Sequence, residues 1–227
     1  MSGLPWSHHS GWLSPAEACR WQQALTEKLI WDQPQVLVFG QRHLTPRLAA
    51  FLADPSVTYR YSGVEHRGQG WPDWFAPLLH QVNDRCGVSF NGCLCNLYRD
   101  GHDRMGWHAD DEPEIDANQP IASLSLGATR CFQLRRRDGS DRQSLDLADG
   151  DLLVMTPPCQ QDWVHGLPVR KRIRTARLNL TFRVFRVPAA PSTKGEHSPT
   201  LIGCCEESIE RPDRHLDQHA PPSAGRK

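Results

Sequence analysis

Hydrophobic residues recur along this chain with two different periods, and the change comes near residue 90. In "SPAEACRWQQALTEKLIW", Ala18, Trp21, Leu25 and Leu29 fall at three- and four-residue intervals, the stripe of a helix with one buried face. Ser14 before Pro15, with Glu17 three positions on, supplies the capping box that would start it. A second helix is predicted from Pro72 to Cys86, with Trp74, Phe75, Leu78, Leu79 and Val82 inward and Gly87 as its stop. From Cys93 to Val187 the segments "CLCNLYRDG", "IASLSLGAT", "CFQLRRRDGS", "QSLDLADGD", "LLVMTPP" and "ARLNLTFRVF" are short, β-branched or alternating, and separated by Gly, Asp and Pro. That spacing predicts a sandwich or barrel, so the expected fold is mostly β with flanking helices, a jelly-roll-like core. Residues 1–34 are read as an N-terminal helical segment and 35–187 as the main domain; 188–227, rich in Pro, Ser, His and charge, as a disordered tail.

Composition narrows the class. A chain of 227 residues with 38% hydrophobic content has room for one domain with a substantial core. No basic segment followed by an apolar run opens it, and no stretch nears the ~18 apolar residues of a membrane span. The expectation is a soluble, intracellular monomer with no membrane partner, cytoplasmic in a bacterium or nuclear in a eukaryote. Six of the cysteines lie scattered through apolar segments while Cys204 and Cys205 sit in the tail, a pattern of reduced thiols rather than a disulfide framework. Cys93-Leu94-Cys95 would be half a zinc site, but no second Cys/His pair stands at a suitable distance. The zero formal net charge argues against indiscriminate nucleic-acid binding, yet Arg135-Arg136-Arg137 and Arg170, Lys171, Arg172 and Arg174 concentrate positive charge locally.

Candidate chemistry centres on "GWHADDE", residues 106–112. His-x-Asp is weak by itself, since His215-Leu216-Asp217 repeats it in the tail. On an extended segment, however, His108 and Asp110 point to one side. A third ligand is offered by His165 in "DWVHGLP". Two histidines and a carboxylate on one face make the facial triad of non-haem Fe(II) oxygenases, whereas zinc more often takes a tetrahedral set; a core or capped His165 is the plain alternative. In "RLNLTFR", Arg177, Asn179, Thr181 and Arg183 share a face, and Asn96 and Tyr98 do the same in "CNLYRDG". An ordinary half-exposed strand reads this way too, but such a row of donors suits a ligand with two carboxylates.

"NLYRDGHDRMGWHADDE", "PIASLSLGATRCFQLRRR", "WVHGLPV" and "RLNLTFR" together closely resemble the AlkB family of Fe(II)/2-oxoglutarate-dependent nucleic-acid dealkylating dioxygenases. "VLVFGQRHLTPRLAAF" and "VTYRYSG" resemble its DNA-repair branch, that of the second and third human AlkB homologues. The resemblance covers residues 35–187 and implies a double-stranded β-helix core. It implies that His108, Asp110 and His165 hold Fe(II), and that Asn96, Tyr98, Arg177, Asn179, Thr181 and Arg183 hold 2-oxoglutarate. Arg177 would take the distal carboxylate and Arg183 the metal-chelating end. The implied reaction uses molecular oxygen, with ascorbate as reductant in vitro, to hydroxylate an N-methyl group of bases such as 1-methyladenine or 3-methylcytosine, releasing succinate and formaldehyde. Asp111 and Glu112 would favour the cationic damaged base, or else solvate a loop. Tyr59 and Tyr61 match the substrate lid that stacks on a flipped-out base, and Phe39-Gly40 the hairpin that wedges a duplex; a strand with one buried tyrosine is the alternative for the first and a core strand for the second. The implied partner is alkylated DNA, with an RNA demethylase, a protein hydroxylase or a non-catalytic binder on the same core as the rivals.

Overall fold

The computed structural model describes residues 3–38, 40–61 and 64–187. Fourteen strands are named among these residues, and ten of them form two antiparallel sheets that face each other. The larger runs β1 (Trp6–His9), β12 (Leu152–Met155), β9 (Ile121–Gly127), β14 (Arg177–Arg183), β7 (Gly92–Tyr98), β4 (Leu48–Ala53). The smaller runs β11 (Arg142–Leu147), β10 (Arg130–Arg136), β13 (Trp163–Leu167), β8 (Met105–His108). The expected mostly β, jelly-roll class is what is found. Two hairpins stand apart: β2 (Gln35–Val38) with β3 (Gln41–Leu44), and β5 (Thr58–Tyr61) with β6 (Val64–Arg67).

Two helices cover the outer face of the larger sheet. Helix α1 (Pro15–Lys28) starts at the Ser14–Glu17 capping box and buries Ala18 and Leu25. The helix expected from Pro72 begins instead as a 3-10 turn, Asp73–Phe75, and becomes α2 only over Ala76–Cys86, because Pro77 in the first turn has no N–H to give. Gly87 closes it in the left-handed region, at φ 64°. Leu178, Leu180 and Phe182 of β14 pack into this helical layer.

Two strands of the larger sheet were not expected. Trp6–His9 makes an edge strand on β12, so the N-terminal 34 residues supply sheet as well as helix. Its sequence, "WSHH", is too short and polar to show a period. The segment "LAAFLA" has the composition of a helix, but pairing of Leu48–Ala53 along the whole of β7 overrides that propensity. All six described cysteines are free thiols, with Cys93 and Cys95 buried 3.8 Å apart, sulfur to sulfur. Among the described residues, no helix is long and apolar enough to cross a membrane.

Candidate metal centre and its polar cavity

His108 sits on the exposed edge of the smaller sheet, and a bulge aims it. His108 pairs with His165 and Met105 with Leu167, so three steps along β8 match two along β13. The extra residue at Gly106-Trp107 brings Met105 and His108 onto one cavity. Gly166 opposite makes this close approach possible: a Cβ there would lie 3.2 Å from the Met105 carbonyl oxygen and 3.3 Å from that of Gly106. The His108 Nδ1 donates to the Gly106 carbonyl at 2.9 Å, which leaves Nε2 with its lone pair free. Outside the bulge, Trp107 is exposed with the Arg135 guanidinium 4.5 Å over its ring.

Asp110 is aimed by its backbone N–H, which donates 3.0 Å to the Gln160 side-chain oxygen on α3 (Pro158–Asp162). One ligand atom each from His108, Asp110 and His165 lies within 4.8 Å of the others, and no second such cluster occurs among the described residues. The ionisation states suit a cation. Burial works to raise the Asp110 carboxyl, but Arg183, 2.8 Å away, with His165 and His108 outweighs it and holds it down at about 2. Burial, then the neighbouring His108, pushes His165 down to about 3, so its imidazole stays neutral.

From this triad a narrow polar cavity runs between the sheets. Its floor is the face shared by Arg177, Asn179, Thr181 and Arg183 on β14 with Asn96 and Tyr98 on β7, where Arg177 pairs with Tyr98 and Asn179 with Asn96. Every one of these side chains is buried. Arg177 donates 2.9 Å to Ser125 Oγ, Asn179 donates 2.8 Å to Ser123 Oγ, and Arg47 donates 2.8 Å to Asn96 Oδ1. Those three partners and Gln160 were missed from the sequence. Ser123 and Ser125 share a face of "IASLSLG" and could have been found by the same alternation; nothing local marks Arg47 or Gln160.

Burial pulls Arg177 down to about 10. The Nε of Arg177, the Nε and one terminal nitrogen of Arg183, and Nδ1 of His165 are buried without a hydrogen-bond partner. Unsatisfied buried donors are costly. A cation on the triad and an anion with more than one carboxylate between the two arginines match this donor set.

The remaining predicted residues separate. Tyr59 is fully buried between Phe51 and Phe185, its hydroxyl donating 3.0 Å to Glu112. Burial, then Asp110, raises the Glu112 carboxyl. Asp111 is instead an exposed partner of Arg137 at 2.6 Å. Gly40 turns the β2–β3 hairpin at φ 78°. Tyr61 ends β5, while its side chain, Phe39, and His215 with Asp217 lie outside the described residues.

Comparison with known proteins agrees with this geometry. Residues 6–183 match the model of the 2OG-Fe(II) oxygenase superfamily. The DNA oxidative demethylase ALKBH2 of Mus musculus is 42% identical over 161 residues, covering 66% of this chain and 66% of that protein. This chain thus spans just under two thirds of its length. The alpha-ketoglutarate-dependent dioxygenase alkB homolog 3 of Bos taurus is 35% identical over 199 residues, 82% of this chain and 67% of that one. The solved structure of OsALKBH1 shares the fold, with a TM-score of 0.54 at 18% identity, over 81% of this chain and 99% of the other.

Proposed function

The chain belongs to the 2OG-Fe(II) oxygenase superfamily and, within it, to the AlkB family, and from that premise we propose that it repairs DNA bases by oxidative removal of N-methyl groups. The observation that carries this reading is the row of buried polar side chains on β14 that joins the His108–Asp110–His165 triad to Arg177 in one cavity. Fe(II) held by the triad, together with 2-oxoglutarate and molecular oxygen, supplies a two-electron oxidation of a C–H bond, yielding succinate and carbon dioxide. Ascorbate serves as the reductant in vitro.

The protein's own groups divide the remaining work. Arg177, backed by Ser125 and Tyr98, would receive the distal carboxylate of 2-oxoglutarate, and Arg183, paired with Asp110, would steady the other end. Asn96, Asn179 and Thr181 fill the floor between them. Glu112, held by the Tyr59 hydroxyl beside Asp110, has its carboxyl raised by burial, and a cationic base such as 1-methyladenine or 3-methylcytosine brought against it would favour its charged form. Asp111, paired with Arg137, lies at the rim. Once the methyl group carries a hydroxyl, the N–C bond breaks to give formaldehyde and the unmodified base. Arg170, Lys171, Arg172 and Arg174, all exposed, contact phosphates, and the β2–β3 hairpin, turned at Gly40, opens the duplex. The protein acts as an intracellular monomer, with residues 1–34 supporting the 35–187 domain and the tail dispensable for turnover.

The test is formaldehyde release from single- and double-stranded oligonucleotides carrying either lesion, with and without Fe(II) and 2-oxoglutarate. Release that requires both cofactors is expected, with Phe39→Ala losing more on the duplex than on the single strand. Release from methylated RNA alone, or succinate formation with no nucleic acid consumed, sinks the DNA reading and points to the RNA or protein alternative.

A further inference from the structure

Arg130 is one of the most deeply buried cations of the described residues and is not part of the polar cavity. It opens β10 at 1% exposure and makes no ion pair among the described residues. Its guanidinium donates to three carbonyls instead: Asp100 at 3.0 Å, Asp103 at 2.9 Å and Pro168 at 2.8 Å. A buried charge is costly to keep, and an apolar side chain of that size would serve packing as well. What only the planar fork supplies is a simultaneous hold on chain positions from two loops.

Those loops are the 99–104 connection between β7 and β8 and the 168–176 connection between β13 and β14. The first is closed on itself by Arg99, which meets Asp103 through Nε at 2.8 Å and a terminal nitrogen at 2.9 Å. It interlocks with the second: the Gly101 N–H donates 3.0 Å to the Ile173 carbonyl, and the Arg170 N–H donates 2.7 Å to that of Gly101. Any side chain at Gly101 would collide with the Arg170 carbonyl oxygen. The second loop carries Arg170, Lys171, Arg172 and Arg174, all exposed and, among the described residues, none in an ion pair. Arg130 also stacks 5.9 Å from the Tyr98 ring, whose centroid is 5.5 Å from Arg177.

We propose that Arg130 is a positioning residue: it pins the Arg170–Arg174 loop to the cavity wall at Tyr98, so that phosphate contacts made by the loop are held in register with the base being oxidised. This deepens the nucleic-acid reading above and rests on it. A flexible loop of four cations would pay ordering entropy each time it met a duplex, whereas a pinned one has done so on folding.

The experiment is a double-mutant cycle read by fluorescence anisotropy of the iron-free protein with a lesion-bearing duplex, over a salt series. Its members are Arg130→Met, the loop variant Arg170→Gln/Lys171→Gln/Arg172→Gln, and their combination. Arg130→Met should weaken duplex binding about tenfold and flatten the dependence of log Kd on log salt. In the loop-neutralised background it should add less than about twofold, because its effect runs through the loop. An equal loss in both backgrounds, or an unchanged salt slope, overturns the proposal and leaves Arg130 with a general role in the fold. If Arg130→Met does not fold, Arg130→Lys, which keeps the charge but not the fork, goes through the same cycle with the same deciding outcomes. A parent protein that binds no duplex and releases no formaldehyde defeats the DNA-repair reading itself. Parent binding and release with an additive cycle defeats only the pin.

Discussion

Strands β14 and β11 are written in the same alternating script, "RLNLTFR" and "RQSLDL", yet every residue of β14 is buried while the polar positions Arg142, Ser144 and Asp146 of β11 are exposed. The difference is place. β11 is an edge strand of the smaller sheet, and water solvates its polar side at no cost. β14 lies between β7 and β9 with helices behind it and the smaller sheet in front, so Arg177, Asn179, Thr181 and Arg183 are held out of water. Alternation reports that a strand has two faces; whether the polar face meets solvent or a ligand is decided by the second sheet. A fold spends stability on buried donors only where they have work to do.

Four tests break or sharpen that contrast. The largest effect belongs to the triad at the end of the buried face. Asp110→Ala removes the charged ligand and leaves Arg183 without its partner, so kcat/KM should fall at least about 10³-fold, several kcal/mol of barrier. Duplex binding should stay within about twofold, because the cations that meet phosphate lie elsewhere. Turnover that survives the change excludes the triad as the metal site.

Next in size is Arg177→Met against Arg142→Met. The first removes a bidentate partner for a carboxylate and should raise the KM for 2-oxoglutarate about 100-fold, roughly 2.7 kcal/mol. It should also leave the urea midpoint unchanged or higher, since a buried cation that makes no ion pair among the described residues, and whose Nε has no hydrogen-bond partner, is replaced by an apolar chain. The second, on the solvated strand, should leave both quantities alone. Equal effects at the two positions would erase the distinction between the strands.

Gly166→Ala addresses the bulge. Its added methyl would press on the Met105 and Gly106 carbonyls at 3.2–3.3 Å and shift His108 through the Nδ1 contact with Gly106. Affinity for Fe(II), followed by titration of the metal-free protein, should fall about tenfold, the size of a disturbed ligand-orienting contact. Unchanged iron affinity would show that the bulge tolerates displacement.

How much of this was legible depended on which forces were local. The capping box at Ser14–Glu17 and the left-handed stop at Gly87 are written in four or five residues and were read directly. The triad was approachable because metal chemistry demands two imidazoles and a carboxylate on adjacent extended segments, a demand few stretches of the chain meet. The bulge at Gly106-Trp107 was not legible, because it exists only in the mismatch between β8 and β13. The burial of Tyr59 was legible only as an alternative: its spacing to Tyr61 sets a shared face, while Phe51, Phe185 and Glu112, remote in sequence, decide what Tyr59 touches. The Ala/Leu-rich β4 and the polar β1 were hidden for the same reason, as partners on β7 and β12 overrule weak local preference.

The smallest effect tests a buried polar group with a purely structural task. Asp151 is 2% exposed; its carboxylate accepts from the Gly11 N–H at 2.8 Å and the Ala148 N–H at 2.9 Å and meets His8 Nε2 at 2.8 Å. It joins the turn ahead of α1 to the turn between β11 and β12. Burial works to raise this carboxyl, but the two amides and His8 outweigh it and hold it below the ordinary value. A depressed folded-state pKa means that the unfolded chain takes up the proton first. The stabilisation is therefore complete above the unfolded value of about 3.9 and drains away as pH falls through the lower folded one. Asp151→Asn turns an amide NH₂ toward one of those donors and should cost about 1–2 kcal/mol at pH 7. The gap between parent and variant in urea unfolding should narrow steadily from pH 4 downward; a gap that stays constant to pH 2.5 would mean that Asp151 is held by shape alone and that its charge does no work in the fold.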